Sequence, residues 1–374
     1  MSQRISYRTA LLVLILAATG VATYLGAQQN NSQQEVFLPD GFATDLARRP
    51  VDFGFTDPAL IGAIDLHVHV DPDSPYAEQT RAIDVMTEAR VAKARGMRGF
   101  AHKTHNGPES AATALIVRQE VPGIEVFGRF PQNFTSGGLN IAAVDHFIQI
   151  TGGFGRIVEM PTRDAITSWQ EIQKTGMENR SWMQWRDPDE PKYIAISKDG
   201  KLLPEVVKFI GKLAKMKTVQ SNASVVLATG HALPEEHVLL AREGRRVGLQ
   251  VLATHPHEIP QLEEIAKTGA YVELTAAMVL KGVPMVATNS SGRGFQEAMN
   301  IIHRVGAEHI IISSDAGQIT NPYPPDVLAL VAKGLRSRGV TEHELDLMYK
   351  INPAKLLGLP PLDPSQMTMR SPAR

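Results

Sequence analysis

The chain has 374 residues, 38 Lys and Arg against 39 Asp and Glu, a net charge of −1, and no cysteine. A chain of this length can bury a large core, and near-neutral charge argues against nucleic acid as a partner. Without thiols there are no disulfides, so any metal must be held by nitrogen and oxygen ligands.

The chain begins with an export-like segment. Arg4 and Arg8 precede an apolar run over 10–18, and small residues follow, with Ala22 and Ala27 as cleavage points. Residues 1–27 are expected to be a signal peptide or an N-terminal anchor. The protein is then exported, periplasmic or secreted, or tethered to a membrane by that segment alone. Residues 28–58 read as a polar linker and N-terminal extension, 59–360 as the folded unit and 361–374 as a tail.

Within the folded unit, apolar runs alternate with helical spacing. Residues 64–70 predict a strand, and 84–95, with Val85, Ala89 and Ala92 in register, a helix ended by Gly96. Strands are expected at 97–105, 124–130 and 156–162, with helices near 110–120 and 141–151. The alternation breaks at 163–201, which carries Trp169, Trp182 and Trp185 and reads as an inserted loop or subdomain. It resumes with strands at 224–229, 249–254, 270–275 and 309–314, separated by helices at 204–217, 234–247, 260–267 and 295–305. Helices near 325–336, 342–349 and 354–357 close the fold. Eight strands followed by helices describe an α/β fold, a (β/α)8 TIM barrel with an insertion after the fourth strand.

In such a barrel the C-terminal strand ends share one mouth. Alternation along the first strand puts His67 and His69 on one face and Leu66, Val68 and Val70 on the other. His231 follows the fifth strand, His255 the sixth and Asp315 the eighth. Imidazoles with a carboxylate suit a divalent metal, zinc first, with manganese, iron or nickel compatible, as one ion or two. Glu159 is a carboxylate in an apolar strand, so it must be paired or ligating. Lys103 ends the second strand and shares its face with His105. His257 repeats the two-residue spacing with His255, and Arg129 and Arg163 follow the third and fourth strands. His105, His257 and Arg163 are read as substrate contacts, since imidazole and guanidinium grip carboxylate or phosphate. His102, His146, His237, His303, His309 and His343 fall on strand beginnings, helices or the wrong face, and are assigned no chemistry.

The set His67-x-His69, His231, His255 and Asp315 resembles the ligand pattern of the amidohydrolase superfamily. The ending Asn352-Pro353-Ala354-Lys355-Leu356-Leu357-Gly358 is similar to one common there. His102-Lys103-Thr104-His105-Asn106, Met160-Pro161-Thr162 and Thr229-Gly230-His231 are similar to an uncharacterised amidohydrolase-like branch. The resemblance implies a metal-activated water acting on a small-molecule ester, lactone, amide or phosphoester, with Asp315 moving the proton. One departure stands out. Two-metal members carry a carboxylated lysine on the fourth strand, which is absent here. The resemblance then implies either Glu159, as in the TatD-like group, or a carboxylated Lys103 in its place. A decarboxylase or hydratase on the same barrel is the alternative reading, and an exported non-catalytic binding protein the reading of another class. No Gly-x-Ser-x-Gly elbow supports a serine hydrolase.

Overall fold

The computed structural model describes residues 52–73, 81–175, 187–256, 259–280, 294–319 and 321–361. The N-terminal export-like segment, Trp182, Trp185, His257 and the tail beyond 361 lie outside the described residues. Among the described residues, no helix is long and apolar enough to cross a membrane.

Eight parallel strands form one sheet: β1 (Ile64–Val68), β2 (Gly99–Lys103), β3 (Glu125–Pro131), β4 (Gly155–Glu159), β7 (Val226–Ala228), β8 (Gln250–Ala253), β9 (Tyr271–Thr275) and β10 (Ile310–Ser313). A hairpin of β5 (Ser197–Lys198) and β6 (Lys201–Leu202) stands apart from it. The sheet curls until its two ends meet. Val68 bridges Ala316, His69 N–H donates to Ala316 O at 2.8 Å and Asp315 N–H to His67 O at 2.9 Å. The fold is a (β/α)8 barrel, as the alternation in the sequence predicts.

The helices are α1 (Val85–Ala94), α2 (Ser110–Glu120), α3 (Ile141–Gln149), α4 (Ile166–Thr175), α5 (Pro204–Leu213), α6 (Pro234–Arg246), α7 (Ile259–Lys267), α8 (Ala276–Val279), α9 (Gly294–Val305), α10 (Pro324–Arg336), α11 (Glu342–Asp346) and α12 (Asn352–Leu357). Local chemistry sets several of their starts. The Asp84 carboxylate accepts from Met86 N and Thr87 N, and Asn140 does the same for α3. Proline opens α5, α6 and α10, where its missing N–H costs nothing. The described residues of 163–201, read as an inserted loop or subdomain, include α4, with Trp169 half-buried, and most of the β5–β6 hairpin. No residue of α4 is fully buried, so its apolar spacing lacks the packed face that makes a helix stand out.

Two apolar layers sandwich the strands. One lies between sheet and helices and includes Val68, Val70, Phe100, Val126, Val158, Leu227 and Val251. The other fills the barrel: Ile64, Leu66, Ala101, Phe127, Ile157, Val226, Leu252 and Ile311, sealed by Ala354, Leu356 and Leu357 of α12. Leu66 therefore packs inside the barrel and not with Val68 and Val70. The β1–β2 register shifts between Asp65 and Val68, which breaks the strict alternation expected of this strand.

Candidate metal centre

The open end of the barrel gathers ionisable groups that the strand alternation lifts one repeat above the apolar filling. On β1, His67 Nε2 and His69 Nε2 lie 3.1 Å apart. Asp315, just beyond β10, brings Oδ1 to 3.2 Å from each. Its backbone sits at φ 52°, a left-handed conformation that costs a non-glycine residue about 1–3 kcal/mol unless its surroundings impose it. Its N–H bond to His67 O supplies part of that constraint. Gly317 shows how tight this crossing is, because a Cβ there would stand 1.6 Å from His69 O. His255, at φ 28°, ends β8 and stacks its ring 5.8 Å from that of His67. The His231 ring lies 5.1 Å from that of His255. Gly230 lets the chain turn into His231, since a Cβ there would meet Met160 O at 2.4 Å.

The three atoms His67 Nε2, His69 Nε2 and Asp315 Oδ1 form a nearly equilateral triangle. Ligand atoms on one ion with bonds of about 2.1 Å stand about 3.4 Å apart in a tetrahedral site and about 3.0 Å apart in an octahedral one. The triangle falls between the two. Its two imidazoles are also in the right protonation state. Burial, with Lys103 and Arg129 adding to it, holds the His67 imidazole well below the ordinary histidine range. Burial, then His105 and Arg81, does the same to His69. Neutral imidazole is the form that ligates. Burial pushes the Asp315 carboxyl up to about 7, with Lys103 working against it. The donor set therefore fits a divalent cation.

Behind the triangle lies a buried ionic lattice. Lys103 Nζ is 3.0 Å from His67 Nε2 and 3.4 Å from Glu159 Oε1, and it is buried, not solvated. Burial lowers its pKa, against the Glu159 charge. Glu159 points into the barrel. Its two oxygens accept from Arg129 Nε at 3.1 Å and Nη2 at 2.6 Å, and Oε1 also accepts from Thr254 Oγ1. Burial alone would raise the Glu159 pKa, but Arg129 and Lys103 outweigh it and hold the carboxyl below its usual range. Glu273 of β9, which sequence reasoning passed over, lies 3.2 Å from His67 Nδ1 and 3.0 Å from Arg129 Nη1. The signal was available, because Glu273 interrupts an apolar strand just as Glu159 does.

A second cluster adjoins the first. The His105 ring stacks on His69 at 4.5 Å, and its Nδ1 lies 2.7 Å from Asp73 Oδ2. His69, Asp73 and His105 could hold an ion by spacing alone. However, Arg81 Nη2 already stands 2.6 Å from Asp73 Oδ2 and 2.9 Å from His105 Nδ1, so the protein supplies the cation here itself. Burial, then the charge of Arg163, lowers His105 to about 4, and Arg163 is itself buried. Among the other histidines, His102 bonds Val70 O and His237 bonds Thr229 Oγ1, both within the packed structure.

The barrel is similar to that of an organophosphorus hydrolase from Deinococcus radiodurans, at 16% identity and a TM-score of 0.50, covering 82% of this chain and 99% of that one. It is also similar to an amidohydrolase with bound zinc from Burkholderia multivorans, at 12% identity and a TM-score of 0.54, covering 80% and 99%. These likenesses are likenesses of fold, and the fold is the one that the amidohydrolase resemblance implies. No curated protein matches the sequence. Residues 62–273, from the start of the barrel through Glu273, match the Family of unknown function (DUF6282), and the chain belongs to that family.

Proposed function

We propose that this protein is a metal-dependent hydrolase of a small-molecule ester, lactone, amide or phosphoester. The observation that carries the reading is the triangle of His67 Nε2, His69 Nε2 and Asp315 Oδ1, two neutral imidazoles and a carboxylate at ligand spacing on a barrel mouth. These three residues would hold the ion, zinc by donor preference. His231 and His255, a ring further round, would complete its shell or hold a second ion. A divalent ion bound there acts as a Lewis acid and makes water a nucleophile at neutral pH.

The chain's own groups supply the remaining tasks. Asp315 is the most exposed of the three, with 22% of its side chain accessible, so it can exchange a proton with bound substrate. A carboxylate at that place would take a proton from water and return it to a leaving group. Lys103, braced by Glu159, offers an N–H donor to negative charge developing beside His67. We assign Glu159 and Lys103 to this bracing in preference to ligation, because Arg129 engages both Glu159 oxygens. His105, stacked on His69, would meet the substrate, with the charge of Arg163 acting beside it.

Metal analysis of the purified protein, followed by an ester, lactone, amide and phosphotriester panel with zinc and manganese, tests the reading. About one or two equivalents of metal and hydrolysis of at least one class are expected. His69→Ala should lose metal and activity together. Protein that neither holds nor rebinds metal would overturn the reading, and carbon dioxide release from carboxylates without hydrolysis would replace it with a decarboxylase.

A further inference from the structure

The lattice behind the triangle has a feature that ligand spacing alone does not require. His67 is the one histidine of the triangle whose second ring nitrogen meets a carboxylate: Nδ1 lies 3.2 Å from Glu273 Oε2, both side chains essentially inaccessible to solvent. His69 Nδ1 is buried with no hydrogen-bond partner among the described residues. Glu273 is itself pinned. Arg129 Nη1 donates to its Oε1 at 3.0 Å, and Nη2 lies 3.4 Å from Oε2. Arg129 spends its remaining donors on Glu159, Leu66 O and Thr254 Oγ1, so β1, β3, β4 and β9 and the end of β8 all fix one guanidinium.

We propose that Glu273, held by Arg129, is a positioning residue that fixes His67 as the Nδ1–H tautomer and aims the Nε2 lone pair at the metal site. The proposal rests on the metal-site reading above for its purpose, but not for its physical basis. An ionised carboxylate only accepts hydrogen bonds, so the nitrogen facing Glu273 must carry the proton. The reverse tautomer would set the Nδ1 lone pair against a carboxylate oxygen in a buried site. It would also set an Nε2 proton against Lys103 Nζ, 3.0 Å away, itself a donor. Ligating histidines that lean on a carboxylate in this way gain basicity and a fixed ring plane, and loss of the carboxylate typically weakens metal binding by about 10–100-fold.

The substitution Glu273→Gln separates this role from mere packing. Arg129 still needs an acceptor and claims the amide oxygen, which turns the amide N–H2 toward His67 Nδ1. His67 must then accept there and carry its proton on Nε2, the wrong end for a ligand. Nitrogen-15 spectra of metal-free, histidine-labelled protein read this directly, with the His67 signal identified by its loss in His67→Gln. The expected result is Nδ1–H in the wild type and Nε2–H in Glu273→Gln, with the zinc Kd raised about 10–100-fold. Glu273→Asp should restore the Nδ1–H tautomer. A wild-type His67 protonated on Nε2 overturns the proposal even if no variant folds. An unchanged tautomer and Kd in Glu273→Gln overturn it too, with the metal reading intact. Wild-type protein that binds no zinc but shows the tautomer switch defeats the metal reading and leaves the hold of Glu273 on His67 standing.

Discussion

The inside of the barrel is built twice from the same strands, once in hydrocarbon and once in charge. Ala101 and Lys103, Phe127 and Arg129, Ile157 and Glu159, Leu252 and Thr254, Tyr271 and Glu273 are pairs two residues apart, the first of each in the lower layer and the second above it. The lower layer is closed by α12 and needs only shape. The upper layer must pair its charges, since an unpaired buried charge is far more costly than a missing methyl. One strand repeat along a strand thus separates a plug from a floor of paired charge. The difference teaches that the upper layer cannot be edited one residue at a time.

The largest contrast is expected from cutting one member of each layer. Arg129→Leu leaves Glu159 and Glu273 facing each other without their shared cation, and should cost about 3–5 kcal/mol in urea unfolding while also lowering metal content. Phe127→Ala, one repeat below, should cost a similar amount, about 3–5 kcal/mol, as a cavity. The folded fraction of Phe127→Ala should keep its metal. If both variants lose metal equally, the layers are not functionally distinct.

A smaller effect concerns a buried acid outside the barrel lumen. Among the described residues Glu88 on α1 finds no hydrogen-bond partner for either oxygen, and burial, then the nearby Asp65, pushes its carboxyl well above the usual range. A raised folded-state pKa means that the folded protein binds the extra proton. Its stabilising contribution is full below the unfolded value near 4.5 and is lost as pH rises toward the raised one. Wild-type stability should therefore fall from about pH 5 upward, by about 1.4 kcal/mol per unit of displacement. Glu88→Gln should reduce that slope, leaving the share of Asp65 and Asp315, both raised to about 7, and be the more stable protein at pH 8. Parallel wild-type and Glu88→Gln curves across that range would show that Glu88 is not the titrating group. The smallest effect is expected at His343, exposed on α11 and far along the chain from either layer. His343→Ala should alter stability by less than about 0.5 kcal/mol and leave metal content unchanged.

Much of this protein was legible before any fold was built. Apolar runs and period-3.6 spacing located the eight barrel strands and most of the helices between them, and the helix expected from 204 opens there on Pro204. His67, His69 and Asp315 stood out because polar residues at the ends of apolar strands have few reasons to be there. The local code weakened where partners come from afar. It put Leu66 on the wrong side, because the β1–β2 register shift is a property of two strands and not of one. It passed over α4, whose residues are nowhere fully buried. It also treated Glu159 and Lys103 as rival candidates and missed Glu273. Whether a buried carboxylate is a ligand, a brace or a counter-ion depends on which cation closure of the barrel brings to it. For Glu159 and Glu273 that cation is Arg129, 30 and 144 residues away in sequence and within 3.1 Å in space. Alternation along a strand is set by local backbone geometry and survives in the sequence. Charge pairing within a barrel is set only when strands distant in sequence, such as β3 and β9, face one another.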